Sequence, residues 1–259
     1  MNPDRPTPAP PAPAHNDLDQ RQLVRLLQDF HQLRRQREQA YEALARAHRV
    51  TLSKLALAAE YKDGDTGIHI VRIGALSAYL ARLLGKPEAW CRDIELAAPM
   101  HDIGKIGIPD SILKKPGGLT AQEREIMQTH PLIGAQILGN TDVPVLAMAA
   151  EIALGHHERW DGSGYPRGLA GDAIPESARI VAVIDFIDAL TMDRCYRKAL
   201  SDAETLTMLQ ATRGSHFDPA IVDAAVAAFP RLAALRDAIN RGEAGTQHPA
   251  RPQAGDLPH

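Results

Sequence analysis

Apolar residues follow a helical spacing along most of the chain. Residues 19–54 contain neither Gly nor Pro. Their apolar residues fit the a and d positions of a heptad and form a seam: Leu23, Leu26, Phe30, Leu33, Ala40, Leu44 and Ala47. Arg37 is the one residue that interrupts this seam. The other face is densely charged, as in helices that pair in a coiled coil. We therefore expect residues 20–54 to form a helical stalk that makes a homodimer. The alternative is a single amphipathic helix that folds back on the globular part.

The pattern stays helical after Leu55. A helix carrying His69 is predicted to end near Gly85-Lys86-Pro87, with Asp63, Asp65 or Thr66 as its cap. The apolar segment Ile94–Ile103 predicts a buried helix that carries His101 and Asp102 at its end. Thr120 and Glu123 resemble a capping box, which would open a helix containing His130. Further helices are expected at three places: Val145–His157, Ala178–Leu190 and after Pro219.

These elements predict an all-α bundle over residues 55–235, because the sequence has no alternating strand, hairpin signal or internal repeat. Residues 1–19 carry a Pro/Ala-rich run that cannot build a core, and we expect this tail to be disordered. Residues 236–259 are expected to be mostly disordered for a similar reason, since they are rich in Gly, Pro and polar residues.

Charge and cysteine content limit the function. The net charge of −3 provides no basic field for a nucleic acid polymer. The most apolar window, Val143–Leu154, is about a dozen residues long and contains Glu151, so membrane insertion is not expected. Two cysteines and the lack of a signal-like start indicate a reducing compartment. We therefore expect a soluble, cytoplasmic protein.

Two adjacent pairs of metal-ligand residues carry the chemistry, His101-Asp102 and His156-His157. Asp185 lies inside an apolar run, where an ionised carboxylate is costly unless it is paired or bound to metal. With His69 and His130, the candidate ligands exceed what one four-coordinate ion needs. At least two metal ions in one pocket, and metal-assisted hydrolysis, are predicted.

Three motifs taken together carry a resemblance to a known family: His101-Asp102-Ile103-Gly104-Lys105, His156-His157-Glu158 and Gly164-Tyr165-Pro166. The chain resembles the HD-GYP domain, a branch of the HD phosphohydrolase superfamily. This resemblance implies an all-helical, metal-dependent phosphodiesterase of bacterial signalling. Its substrate would be cyclic di-GMP, hydrolysed to linear pGpG or onward to GMP.

The resemblance also implies a ligand set. His69, His101, Asp102 and Asp185 would hold one metal ion, with Asp102 bridging to a second ion held by His130, His156 and His157. Iron or manganese is implied. Members with a third metal have Glu where this chain has the shorter Asp65, so we expect two divalent ions and keep Asp65 as a further candidate ligand.

Other roles follow from charge and from the same resemblance. Lys105 is placed to stabilise a phosphate or leaving group, and is expected with Asp102 to be catalytic. Tyr165 matches a substrate-contacting tyrosine, although packing of its ring is an equal alternative. Arg194 and Arg197 align with residues that hold guanine. Glu158 and Asp161 are expected to orient ligands from behind, while an exposed ion pair is the alternative for Glu158.

Two further functions stay open beside cyclic-di-GMP hydrolysis. One is an HD phosphohydrolase of another nucleotide or cyclic dinucleotide, and the other is a receptor that binds without turnover. No sensor domain is expected within the first 54 residues. Regulation would then come through the stalk, a separate sensor or regulatory protein, or the redox state of the metal.

Overall fold

A computed structural model of the chain describes residues 15–63, 67–192 and 198–243, with side-chain positions from residue 22 onward except at Asp63. Within these ranges the chain forms short 3-10 helices at Ala98–Met100, Ile103–Gly107 and Gly171–Ala173 and the following α-helices: α1 (His15–Asp63), α2 (Ile68–Leu83), α3 (Glu88–Ala97), α4 (Asp110–Leu113), α5 (Ala121–Met127), α6 (His130–Leu138), α7 (Pro144–Gly155), α8 (Glu176–Thr191), α9 (Asp202–Ala211), α10 (Pro219–Ala227) and α11 (Phe229–Asn240). The only β-pairings in the described part are two isolated bridges. The all-α fold expected from the sequence is confirmed.

The chain divides into two compact units, residues 1–50 and residues 51–259. In the first unit, α1 begins at His15, so residues 15–19 are helical and do not belong to the tail that was predicted for residues 1–19. Every side chain described between residues 22 and 50 is exposed, including Leu26 and Leu33. The long N-terminal helix is thus confirmed, while its pairing stays a prediction.

The core of the second unit is built around α2 and α8. Helix α2 packs against α3, α8 and α11, while α6 packs against α7 and the 3-10 helix Ile103–Gly107. Apolar side chains at helical spacing explain this packing: Ile73, Leu76 and Leu80 on α2, and Ile180 and Ile184 on α8, are all fully buried. The helix predicted to end in His156-His157 is confirmed as α7. The helix predicted to contain Asp185 is confirmed as α8.

Two predicted helices are interrupted by proline. Helix α3 ends at Ala97, so the His101-Asp102 pair lies in a turn between two 3-10 helices and not on an α-helix. Pro99 has no amide hydrogen to continue the α-helical bonds. Likewise the Thr120–Glu123 capping box is present, but it opens only the short α5. His130 instead begins α6, where Pro131 occupies a position that needs no amide donor.

The C-terminal helices differ most from the sequence prediction. The helix expected after Asp218 is α10, and the Asp218 carboxylate caps it by accepting a hydrogen bond from the amide of Ala220. Helices α9 and α11 were missed. Because α11 reaches Asn240, residues 236–240 are helical, and the disordered tail predicted for residues 236–259 was wrong there. In the part of the chain that the structure describes, no helix combines the length and apolarity needed to cross a membrane.

Candidate metal centre

Seven of the predicted ligands converge in two groups. The first ligand group contains His69, His101 and Asp185, and the second contains Asp102, His130, His156 and His157. In each group the candidate ligand atoms lie within 4.8 Å of one another. The ligands predicted from the sequence therefore meet at one place, although the residues come from regions up to 116 positions apart (69 to 185).

Asp102 joins the two groups. Its Oδ2 lies 3.3 Å from Nε2 of His101, whereas its Oδ1 lies 3.2 Å from Nε2 of His130 and 3.6 Å from Nε2 of His156. One carboxylate oxygen thus faces each set of imidazoles. This is the arrangement of a bridging carboxylate, as the sequence resemblance implied for Asp102.

Three of the histidines lie at or next to the ends of helices. His69 lies in the first turn of α2, His130 begins α6, and His156 follows the last residue of α7. The turn that carries Asp102 is held against α6 at Gly104. A Cβ at Gly104 would lie 1.9 Å from the backbone oxygen of His130, so only glycine permits this close approach.

Hydrogen bonds at Nδ1 orient the buried histidines. His101 Nδ1 lies 3.1 Å from the carbonyl oxygen of Ala98, and His130 Nδ1 lies 2.8 Å from that of Met127. His156 Nδ1 lies 3.0 Å from the carbonyl of Ala153. A carbonyl can only accept, so Nδ1 carries a proton and Nε2 is the nitrogen that faces the centre. Three backbone carbonyl groups thereby orient three of the histidine rings.

His69 is oriented differently, by a carboxylate that sequence analysis missed. Its Nδ1 lies 2.7 Å from Oδ2 of Asp188, and its Nε2 faces Asp185 at 3.7 Å. Asp188 is 2 % exposed and is also bound by Arg72. The signal was present in the sequence, since Asp188 follows Asp185 by three residues in the same apolar helix. Its partner Arg72 is separated by 116 positions and could not be identified from spacing.

The protonation preferences of the two groups differ. Burial opposes a charge on His101, but Asp102 and Asp185 outweigh it and raise the pKa of His101 to about 9. The pKa of His69 is raised too, since burial is outweighed by Asp188 and Asp185. Burial lowers the pKa of His156, and burial with the neighbouring His156 lowers that of His157 well below its ordinary value.

The donor atoms fit divalent cations. Two buried polar atoms at the centre, Nε2 of His101 and Oδ1 of Asp102, have no hydrogen-bond partner among the described residues. Burial raises the pKa of Asp102, but the charge of Lys105 and the nearby imidazoles of His101 and His130 hold it well below its ordinary range. An ionised carboxylate beside imidazoles whose Nε2 atoms face inward is a donor set for Zn, Fe, Mn or Ni. The cluster is compatible with a divalent metal site.

The Gly-Tyr-Pro loop folds back over the second ligand group. The Tyr165 ring stacks on His157 with the centroids 4.8 Å apart, and its amide donates to the carbonyl of His157. Gly164 is packed so closely that a Cβ would lie 2.3 Å from the amide nitrogen of Arg159. The glycine is therefore required for the packing of the loop itself.

Glu158 and Asp161 bond to backbone amides, and the roles expected for them behind the ligands stay predictions. Glu158 is buried, and its carboxylate accepts hydrogen bonds from the amides of Arg167 and Leu169, so it is not the exposed ion pair that was the alternative. Asp161 is exposed and accepts from the amide of Ser163. Both carboxylates shape the loop.

The remaining predicted site residues fall in two classes. Lys105 lies at the centre, with its Nζ 2.8 Å from Oδ2 of Asp102. Asp65, Arg194 and Arg197 lie outside the described residues, so their predicted roles stay predictions.

Comparison with known proteins shows the family to which this chain belongs. The family model described as "HD domain" matches residues 21–221. The chain is 51 % identical over 176 residues to the cyclic di-GMP phosphodiesterase response regulator RpfG of Xanthomonas campestris, and 47 % identical over 173 residues to a cyclic di-GMP phosphodiesterase of Thermotoga maritima. These matches cover 68 % and 67 % of this chain and 47 % of each relative. The chain thus spans about half the length of these curated relatives.

Other similarities agree. The chain is 43 % identical over 185 residues to the 3'3'-cGAMP-specific phosphodiesterase 2 of Vibrio cholerae, covering 71 % of this chain and 35 % of the relative. The crystal structure of a cyclic GMP-AMP-specific phosphodiesterase of V. cholerae shares the fold, with a TM-score of 0.55 at 20 % identity over 81 % of this chain and 54 % of the other. The chain belongs to the HD domain family.

Proposed function

We propose that this protein is a phosphodiesterase that hydrolyses cyclic di-GMP, to pGpG or onward to GMP, with two divalent metal ions as cofactors. The observation that carries the proposal is the position of Asp102. Its two oxygens face two separate sets of imidazoles, which is the geometry a two-metal centre needs. The relatives named cyclic di-GMP phosphodiesterases support the substrate class.

Under this proposal His69, His101, Asp102 and Asp185 hold one ion, and His130, His156 and His157 with Asp102 hold the other. Two bound cations would supply hydroxide near neutral pH and would offset the charge of the phosphodiester. The protein orients its ligands beforehand, because backbone carbonyls and Asp188 hold the Nε2 atoms inward. Little reorganisation is then needed when a cation binds.

The chain's own residues would act on the phosphate as well. Lys105 Nζ lies 2.8 Å from Oδ2 of Asp102, and its positive charge would stabilise a phosphate oxygen or the leaving group. Tyr165 lies over His157, so one edge of its ring borders the centre and can contact a nucleotide. Arg194 and Arg197 would hold guanine, because guanidinium groups stack on purines and bond their Hoogsteen edges.

A second cyclic dinucleotide is a specific alternative. The 43 % identity to a 3'3'-cGAMP-specific phosphodiesterase favours 3'3'-cGAMP as the competing substrate. The two molecules differ in one purine, and the chemistry at the phosphodiester is the same. Discrimination would therefore depend on purine contacts and not on the metal ligands.

We propose iron or manganese as the metal, since imidazole and carboxylate ligands suit both. We also propose a homodimer through residues 20–54, supported by the exposed apolar seam of α1. Leu26 is 66 % and Leu33 64 % exposed. Sedimentation of the L26E variant, with Gln36→Glu as the charge-matched control, tests this. The cytoplasmic location and a separate regulatory protein stay predictions.

One experiment tests the reaction and the metal together. Protein purified without oxygen is assayed for metal content and then incubated with cyclic di-GMP or 3'3'-cGAMP while products are separated by chromatography. We expect about two ions per chain, with linear products from cyclic di-GMP. Binding without product in a fully loaded sample would contradict the proposal and favour a receptor. Cleavage of 3'3'-cGAMP alone would favour the second substrate.

A further inference from the structure

The buried histidines of the centre differ in the group that their Nδ1 contacts. His101, His130 and His156 each bond through Nδ1 to a backbone carbonyl. His69 alone among these four bonds through Nδ1 to a side chain, the carboxylate of Asp188. A backbone carbonyl cannot be removed by substitution, whereas a carboxylate can. The orientation of His69 therefore depends on one identifiable residue.

Asp188 is held in place by Arg72 of α2, which is held in turn by Asn240 of α11. Its two oxygens accept hydrogen bonds from Nε and a terminal nitrogen of Arg72, which lies three residues after His69 on α2. The other terminal nitrogen of Arg72 donates to Oδ1 of Asn240 at the end of α11. The contacts form a continuous series from Asn240 through Arg72 and Asp188 to His69.

We propose that Asp188, supported by Arg72 and Asn240, is the positioning residue that makes His69 a metal ligand through Nε2. Asp188 does not touch the centre itself. It fixes the tautomer and the ring angle of His69, as a carboxylate behind a ligand imidazole does in other metal sites. This inference rests on the proposed metal centre. The competing interpretation is a buried ion pair that only ties α2 to α8.

The two interpretations predict different metal titrations. In the D188N variant, an amide replaces the carboxylate with little change in shape, and the charged partner of Arg72 and His69 is lost. Mn²⁺ is titrated into metal-free protein against a chelator, and bound ions are counted. We expect one of the two ions to bind about 10- to 100-fold more weakly, as for other residues behind metal ligands. The second ion should keep its parental midpoint, and excess Mn²⁺ should restore kcat with KM unchanged.

The exposed Asp142 supplies the control, since D142N makes the same change of charge away from the centre. Parental Mn²⁺ midpoints in D188N, or an equal shift in D142N, would overturn the proposal. A lower melting temperature in D188N with unchanged Mn²⁺ binding would show that Asp188 only ties the helices together. If the parent itself bound no Mn²⁺, the proposed metal centre would fail, which is a separate outcome.

A milder variant covers the case in which D188N does not fold. Asn240 is exposed, so N240A removes the outermost hydrogen bond of the series without opening the core. We expect the same single midpoint to shift by about two- to tenfold, the size of one lost hydrogen bond. The exposed Asn140 gives the matched control, N140A. An N240A protein with the midpoints of N140A would contradict the role of Asn240.

Discussion

The two ligand groups of the centre are built from similar residues but differ in their electrostatic surroundings. In the first group, His69 and His101 face Asp185 and are flanked by Asp188 and Asp102, and the pKa values of both histidines are raised. In the second group, His156 and His157 face each other and the effect of burial prevails, so that the pKa values of both are lowered. Identical side chains thus prefer opposite protonation states a few ångströms apart.

This difference indicates how each group is prepared for a cation. The second group already presents neutral imidazoles, the form that coordinates metal. The first group offers more negative charge, but it binds a proton that a metal ion must displace. Asp102 contributes to both groups, so it is the residue through which they are coupled.

The largest effect is expected where the two groups meet. Asp102→Ala removes the carboxylate that faces both sets of imidazoles, so we expect at least one ion to be lost and hydrolysis to fall below detection. Metal analysis with product chromatography measures both. Asp142→Ala is the control at an exposed aspartate. Full metal content and rate in the Asp102 variant would disprove the coupling.

The pH dependence of metal-free protein tests the opposite pKa shifts directly. His101, raised from 6.5 to about 9, stabilises the fold fully below pH 6.5, and this contribution of at most about 3 kcal/mol is lost as pH rises through 9. His156 and His157 have lowered pKa values, so their contribution to the stability of the fold is present above pH 6.5 and is lost as pH falls.

The free energy of unfolding should therefore be highest near pH 6.5. Urea denaturation between pH 5 and 9 measures it. Mn²⁺ affinity should rise over pH 6.5 to 9, because the first group must release its proton. A stability that rises steadily to pH 9 without metal would contradict the contrast between the groups.

The backbone contact behind the second group is tested by Gly104→Ala. The new Cβ would meet the backbone oxygen of His130 at 1.9 Å, and neither backbone segment can yield easily. We expect the free energy of unfolding to fall by about 1–3 kcal/mol and the second group to lose metal affinity. Gly118→Ala places a Cβ with no atom within 4 Å, so its stability should match the parent. Equal melting curves for both variants would refute the contact.

The smallest effect concerns the ring that covers the second group. Tyr165→Leu removes the stacking on His157, and we expect the free energy of unfolding to fall by about 0.5–1.5 kcal/mol, the range for paired aromatic rings. Tyr61→Leu, at a ring that is 74 % exposed, serves as control. Thermal denaturation of both variants decides whether Tyr165 packs on this group. No difference between them would mean that its stacking contributes nothing to stability.

The helical class and most of the ligands could be predicted because they leave local signals. Helices α7 and α8 are continuous apolar runs, and a carboxylate within such a run, as at Asp185, indicates a partner. The positions of His101 and His130 within their elements were harder to predict. Each lies beside a proline that ends one helix and begins another, so apolar spacing alone gives the wrong element.

The sequence by itself determined the residue types: imidazoles and carboxylates at the boundaries of apolar helices, and a seam of exposed apolar residues in α1. Only the tertiary structure decided which nitrogen of each histidine faces the centre and which histidines hold a proton. Those properties depend on hydrogen-bond partners and charges brought within about 3 Å by folding, such as Asp188 behind His69, and sequence separation carries no information about such distances.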